Sequence, residues 1–179
     1  MTGAPVHSIP RATGQFATLR WLLIPAIALH NFEEWLTFPI YGETSAVIAA
    51  KLGIPRPETS WPALQFGLVL VTVLPALAII FGARRNERWG DWLVCATGSI
   101  FLANVFLPHL PAALIVGGYT PGLLTALLVN LPLVSLLLMA ADREGRLSRL
   151  QIFLAIVVGV ILLPLALFSV LAIGQRLFP

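Results

Sequence analysis

The chain has 179 residues, of which 58% are hydrophobic and only 11% are charged, and its mean hydropathy is +0.91. Soluble domains carry about 25% charged residues, so this composition excludes an ordinary soluble protein and indicates one that crosses a membrane several times. The net charge of +3 does not indicate a nucleic-acid partner, because the arginines lie in short loops between apolar segments. The single cysteine, Cys95, excludes an intrachain disulfide.

Five apolar segments reach the length of roughly 20 residues that spans a bilayer core. The pattern therefore predicts an all-α bundle of five transmembrane helices, kinked at prolines. Residues 1–15 are expected to form a disordered leader, and residues 16–179 a single membrane domain with a short helix in the 39–60 connection. The five spans are predicted at about residues 17–38, 61–83, 90–115, 121–140 and 150–174.

The positive residues predict the orientation of these spans. Most of them fall on one side of a five-span bundle, and such an excess marks the cytoplasmic side. We therefore expect a cytoplasmic N-terminus and an external C-terminus. The residues on the cytoplasmic side are Arg11, Arg20, Arg84, Arg85, Arg88, Arg143, Arg146 and Arg149, and those on the other side are Lys51, Arg56 and Arg176.

The most unusual segment is His30-Asn31-Phe32-Glu33-Glu34, near the end of the first predicted span. Ionisable groups at bilayer depth cost from a few kcal/mol upward, so they usually face a protein interior and have a function. At about 100° per residue, His30 and Glu34 lie on nearly the same helix face and Glu33 about 60° to one side. The three side chains can form a metal site, an acid–base pair or a proton relay. A structural alternative is that both acids lie at the membrane surface and reach water, which would leave His30 unexplained.

Polar residues in other spans lie at a similar depth. Asn104 and His109 are about 140° apart on an ideal helix, so a bend at Pro108 and Pro111 is needed to bring them to one cavity. Asn130, in the fourth span, is expected to be a helix-packing residue first and a site residue second. Further candidates for substrate contact are Gln65, at the outer end of the second span, and Tyr119, in the loop before the fourth.

The loop Gly117-Gly118-Tyr119-Thr120-Pro121-Gly122 joins the third and fourth spans. Its glycines and proline predict a tight turn, and they also allow the backbone to come close to a ligand. In the fifth span, Ala155 and Gly159 form a small-x-x-x-small pattern that predicts close helix packing.

Three of these elements, in this order, resemble the HXXEE family of bacterial and archaeal integral membrane proteins. The signature is similar to residues 30–34, the family's Asn…His element resembles residues 104–109, and its Gly…Pro-Gly element resembles residues 117–122. The resemblance covers roughly residues 20–140. It implies a multi-spanning protein of the cytoplasmic (inner) membrane of a prokaryote, and the signature suggests an enzyme without identifying its reaction.

We therefore expect a membrane-embedded enzyme that acts on a hydrophobic or lipid-like substrate by acid–base or metal-assisted chemistry. Nucleophile, phosphate-binding and dinucleotide motifs are missing from the sequence, so covalent acyl transfer, ATP and NAD are not indicated. The expected catalytic residues are His30, Glu33, Glu34 and His109, the expected substrate contacts are Asn104, Asn130, Gln65 and Tyr119, and the first four could also hold Zn²⁺ or Fe²⁺.

Two alternatives remain open at this stage. The first is a small proton- or ion-coupled transporter, which would need polar residues that continue to the inner face. The second is a ligand- or haem-binding membrane subunit that uses both histidines. The expected partners are the lipid bilayer, a hydrophobic small molecule and possible further copies of the chain, without nucleic acid.

Overall fold

A computed structural model describes residues 14–41, 43–53, 60–85 and 87–179, and the described chain is all-helical. The predicted leader therefore lies almost wholly outside the described residues, as do Arg11 and Arg56. The helices are α1 (Gln15–Thr37), α2 (Thr44–Leu52), α3 (Trp61–Arg84), α4 (Arg88–Asn104), α5 (Leu110–Val116), α6 (Leu123–Thr125), α7 (Leu131–Arg143) and α8 (Arg149–Leu177). Two π-helical segments interrupt them, and we call these the first π-segment (Val105–His109) and the second π-segment (Ala126–Asn130).

Four helical stretches in the described part of the chain are long and apolar enough to cross a membrane. They agree with the second to fifth predicted spans and indicate a membrane protein. Helix α1 is not among the four, because its charged and polar side chains lower its hydropathy over the same length. The four stretches are Trp61–Arg84, Arg88–Val116, Leu123–Arg143 and Arg149–Leu177.

Helices α4 and α8 pack closely because small residues lie between them, which confirms the predicted packing role of Ala155 and Gly159. Ala155 is fully buried. A Cβ atom placed on Gly159 would lie 2.6 Å from the carbonyl carbon of Ser99 and 2.7 Å from its Cβ. The two backbones can therefore approach only while position 159 has no side chain.

We expect Gly159→Ala to lower the free energy of unfolding by about 1–3 kcal/mol, because the added methyl group overpacks the α4–α8 contact. Thermal unfolding of the purified protein in detergent measures the change. Gly118→Ala is the matched control, since a Cβ at Gly118 has no neighbour within 4 Å. Equal unfolding temperatures for the two variants would contradict this account of the contact.

One end of the bundle is joined by a buried ionic cluster of Arg20, Asp91 and Arg146, which we call the arginine–aspartate cluster. Arg146 Nε donates to Asp91 Oδ2 at 2.8 Å, and Arg20 Nη1 lies 3.7 Å from Asp91 Oδ1. The Asp91 side chain is fully buried. The cluster links the start of α1, the start of α4 and the turn between α7 and α8. From the sequence, the two arginines were expected to set the topology only, and Asp91 was not a candidate residue.

Candidate functional site

Three side chains of types that can bind a metal, two histidines and a glutamate, meet between α1 and the first π-segment. Glu34 Oε1 lies 3.4 Å from His109 Nε2 and 3.9 Å from His30 Nε2. The two imidazole rings meet edge to face, with their centroids 4.9 Å apart. His30 is fully buried, while the side chains of His109 and Glu34 keep exposures of 6% and 14%. We call this group the His–Glu–His cluster.

Asn104 connects the two imidazoles. Its Nδ2 atom lies 3.0 Å from His30 Nε2 and 3.0 Å from His109 Nε2. The π-helical conformation explains how Asn104 and His109 can meet, because its i→i+5 pattern brings residues five apart to one side, which a regular α-helix does not. The sequence predicted a proline bend for this approach, and the described backbone provides a π-helical turn that contains Pro108.

Glu33 faces a different set of groups. Its carboxylate accepts hydrogen bonds from Tyr119 Oη at 2.6 Å, from the Leu124 amide at 3.1 Å, and from both the amide and the hydroxyl of Thr125. Glu33 thus binds free backbone N–H groups at the start of α6, where a helix terminus favours a carboxylate. The structure brings one of the two adjacent acids, Glu34, to both imidazoles and uses the other to join α1 to α6.

Tyr119 contributes to the same junction. Its ring packs edge to face on Tyr41, with centroids 4.9 Å apart. Burial, together with the hydrogen bond to Glu33, raises the pKa of Tyr119 to about 12. The phenol therefore stays protonated at neutral pH and remains a hydrogen-bond donor to Glu33.

Thr125 connects Glu33 to His30. A carboxylate can only accept, so the Thr125 hydroxyl donates its hydrogen bond to Glu33 Oε2. The same hydroxyl oxygen lies 2.9 Å from His30 Nδ1 and therefore accepts a hydrogen bond from that nitrogen. This leaves the lone pair of His30 on Nε2, directed at Asn104 and Glu34.

Gly122 closes one side of the His–Glu–His cluster. Its φ of +80° lies in the left-handed region that favours glycine. A Cβ atom there would lie 2.5 Å from His109 Cε1 and 2.9 Å from Glu34 Oε1. The sequence favoured a simple turn at this loop, and the structure shows that the backbone of this turn also lies directly against the cluster.

An apolar cavity of about 350 Å³ lies beside the cluster. Glu34, Asn104 and His109 are on its wall, whereas His30 and Glu33 are not among the described residues that line it. Most of the remaining lining is aliphatic or aromatic and comes from α3, α4 and α8, with further residues from α2, the first π-segment and α5. The cluster therefore presents a carboxylate and an imidazole to a hydrophobic space.

The other predicted substrate contacts lie elsewhere. Gln65 is half-buried on α3, and Asn130 is buried with no hydrogen-bond partner for Nδ2 in the described chain. Neither of them, nor Tyr119, is among the described residues lining the cavity. Two residues that were not predicted from the sequence belong to the candidate site. Asn31 lines the cavity and donates to Thr72 Oγ1 at 2.7 Å, and Thr125 contacts His30. The position of Asn31 within residues 30–34 could have indicated it, whereas nothing in the sequence linked Thr125 to His30.

Comparison with known proteins places the chain in a family. A family model described as a protein of unknown function with HXXEE motif matches residues 21–137, which include all the residues of the His–Glu–His cluster. The uncharacterized protein YrkK of Bacillus subtilis (strain 168) is 30% identical over 158 residues, covering 86% of this chain and 94% of the relative. No solved structure matches. Because the family model matches about two thirds of its residues, including the cluster formed by His30, Glu34 and His109, the chain belongs to the HXXEE family.

Proposed function

We propose that this protein is a membrane-embedded enzyme whose His–Glu–His cluster acts on a compact hydrophobic or lipid-like substrate held in the adjacent cavity. The observation that carries the proposal is the cavity itself. It is almost entirely apolar, and the carboxylate of Glu34, the amide of Asn104 and the imidazole of His109 are on its wall. A hydrophobic pocket with a few convergent polar groups is the usual form of a small-molecule site.

The proposed topology adds α1 as a fifth span of the cytoplasmic membrane of a prokaryote. A 23-residue helix is about 35 Å long, which exceeds the roughly 30 Å of a bilayer core. Its ionisable side chains are supported by partners inside the bundle, Arg20 by Asp91 and Glu33 by Tyr119 and Thr125. Arg20 and Arg146 meet at one end of the bundle, and the positive-inside rule makes that end cytoplasmic. The His–Glu–His cluster then belongs to the outer half.

The size of the cavity limits the substrate. About 350 Å³ is near the lower end of the range of roughly 300–1,000 Å³ for small-molecule sites. Such a volume suits a single alkyl chain or a compact ring system, and a two-chain phospholipid could insert only a part of itself.

The chemistry follows from the side chains on the wall. Glu34 Oε1 and His109 Nε2 are 3.4 Å apart and both reach the cavity, so either can exchange a proton with a bound substrate and then with the other. Asn104 holds both imidazoles, and the Glu33–Thr125 pair fixes the orientation of His30. A haem held by both histidines has less support, because their ring centroids are 4.9 Å apart and an iron ligated between two imidazoles would separate the rings further.

A substrate-discovery experiment tests this proposal. Purified protein in lipid nanodiscs is incubated with a total lipid extract, and mass spectrometry searches for a hydrophobic species whose mass changes. We expect conversion by the wild type and its loss, by about 10²–10⁴-fold in rate, in Glu34→Gln, because a positioned acid or base contributes that much.

The cavity itself is tested with a matched pair of variants on α8. Leu167 is 37% exposed and lines the cavity, whereas Leu165 is 57% exposed and is not among its lining residues. Leu167→Trp should reduce conversion at least about tenfold by filling the space, and Leu165→Trp should leave it unchanged. Absence of any converted species, combined with Glu34-dependent flux across proteoliposomes, would contradict the enzyme and favour a transporter.

A further inference from the structure

We propose that His30 Nε2, His109 Nε2 and Glu34 Oε1 bind one divalent transition-metal ion, and that Glu33 supports this site through Thr125 without binding the ion. The inference deepens the proposed function, on which its catalytic meaning rests. It also changes the ligand set expected from the sequence, in which Glu33 was a fourth ligand.

The three atoms that converge at the His–Glu–His cluster are all electron-pair donors. The Asn104 amide nitrogen can only donate, so Nε2 of His30 and Nε2 of His109 both present lone pairs to it. Each nitrogen has a single lone pair, so a bound ion would take the place of these two hydrogen bonds and the Asn104 amide would turn away. Glu34 Oε1, also an electron-pair donor, lies 3.4 Å and 3.9 Å from the same two nitrogens. Three electron-pair donors that face one another are stabilised by a cation, and neutral imidazole and carboxylate are metal ligands.

The distances among the three ligand atoms are close to those around a single ion. The three ligand atoms lie within 4.8 Å of one another. A tetrahedral ion with bonds of about 2.0–2.1 Å needs ligand atoms roughly 3.3 Å apart, so the 3.4 Å separation already fits. The 3.9 Å separation between Glu34 Oε1 and His30 Nε2 needs a movement of about half an ångström, which a carboxylate can supply by rotation. The two imidazole nitrogens lie within 4.8 Å of each other, so an ion would also draw the two rings together by up to about 1.5 Å.

The second ring nitrogen of His30 has the hydrogen bond that is typical of a metal-binding histidine. Histidines that bind metals usually donate their other ring N–H to a carboxylate, a carbonyl or water, which fixes the tautomer and raises the basicity of the ligand nitrogen. Here His30 Nδ1 donates to Thr125, and Thr125 donates to Glu33. Thr125 thus relays the effect of the carboxylate, and Glu33 is itself held by Tyr119 and two backbone amides.

The proposed metal site is open to the apolar cavity. Two of the three ligand residues, His109 and Glu34, lie on the cavity wall. Three protein ligands leave a coordination position for water or substrate, which is the pattern of catalytic and not of structural zinc sites. Two imidazoles and one carboxylate suit Zn²⁺ and also Fe²⁺. When bound, such an ion supplies a Lewis acid next to the hydrophobic space.

Metal binding to the purified full-length protein tests this inference. The protein is stripped with a chelator, reloaded with Zn²⁺ or Co²⁺, and analysed for metal per chain. We expect one ion per chain, a visible Co²⁺ absorption band typical of a low-coordinate site, and an X-ray absorption spectrum with imidazole and oxygen ligands. These measurements on the wild type do not depend on whether any variant folds.

The variants assign the ligands. Glu34→Gln and His109→Gln should each weaken binding by at least 100-fold, and Thr125→Val by about 10–100-fold, the usual effect of removing a group that orients a ligand. His7→Ala and Cys95→Ser are the controls, since they remove the remaining histidine and the single thiol. Both should bind metal as the wild type does.

Two outcomes would overturn the inference: a wild-type protein that binds no stoichiometric metal, or binding that survives both Glu34→Gln and His109→Gln. Neither would by itself contradict the proposed function. If metal-free protein still converts a hydrophobic species and Glu34→Gln abolishes this conversion, the enzyme proposal stands. The cluster would then share a proton in place of an ion.

Discussion

Asp91→Asn is expected to lower the free energy of unfolding by about 3–5 kcal/mol, because it removes the negative partner of the buried Arg146 and of the partly buried Arg20. Arg146 Nη2 lies 2.6 Å from Asp91 Oδ2, and the Arg146 side chain is only 6% exposed. Breaking a buried pair costs this much because the remaining charge is left in the interior without compensation. Thermal or chemical unfolding in detergent measures the loss.

The chain offers a control of the same chemical type. Asp142 Oδ2 lies 3.6 Å from Arg149 Nε, but the two side chains are 41% and 90% exposed. Because surface ion pairs contribute at most about 1 kcal/mol, Asp142→Asn should change stability little. A similar loss in both variants would mean that the arginine–aspartate cluster is not a stabilising junction of α1, α4 and the α7–α8 turn.

Gly122→Ala is expected to disable the site. The methyl group would have to occupy space 2.5 Å from His109 Cε1, so the ring or the loop must move. A displacement of about 1 Å at a reactive centre can cost about 100-fold in rate. We therefore expect metal affinity to fall at least tenfold and substrate conversion about 100-fold, measured by the two assays described above.

Gly117→Ala separates this crowding from backbone strain. Gly117 has a φ of +78°, close to that of Gly122, but a Cβ there has no neighbour within 4 Å. Both variants should lose about 1–3 kcal/mol of stability from the left-handed conformation. Gly117→Ala should nevertheless keep its metal and its activity. Loss of binding in both variants would show that the loop acts through its conformation and not through contact with the cluster.

Helix positions were largely predictable, because the spans depend on a local property. Apolar stretches of about 20 residues form helices in a membrane, where every backbone polar group must be satisfied within the segment. The second predicted span, 61–83, corresponds to α3, and the last, 150–174, to α8. The first span remains a proposal, because the residues that form the site make α1 less apolar than the other four stretches.

The candidate site was predictable in part. The spacing of His30 and Glu34 by one helical turn placed them on one face, and the structure brings them to 3.9 Å. The same spacing predicted that Glu33 lies close to His30 and Glu34. It could not show that the start of α6 supplies amides that bind the Glu33 carboxylate. The helical period describes one helix and contains nothing about the neighbour that each face meets.

The sequence by itself determined that this is a helical membrane protein with an ionisable motif in its first helix, because composition and periodicity are local properties of the chain. Only the tertiary structure decided which groups meet. The contact of Asn104 with His30, the link from Glu33 through Thr125 to His30, and the ion pairs of Asp91 with two arginines join residues that are far apart along the chain. Such contacts depend on how helices pack, and residue spacing within one helix does not encode that arrangement.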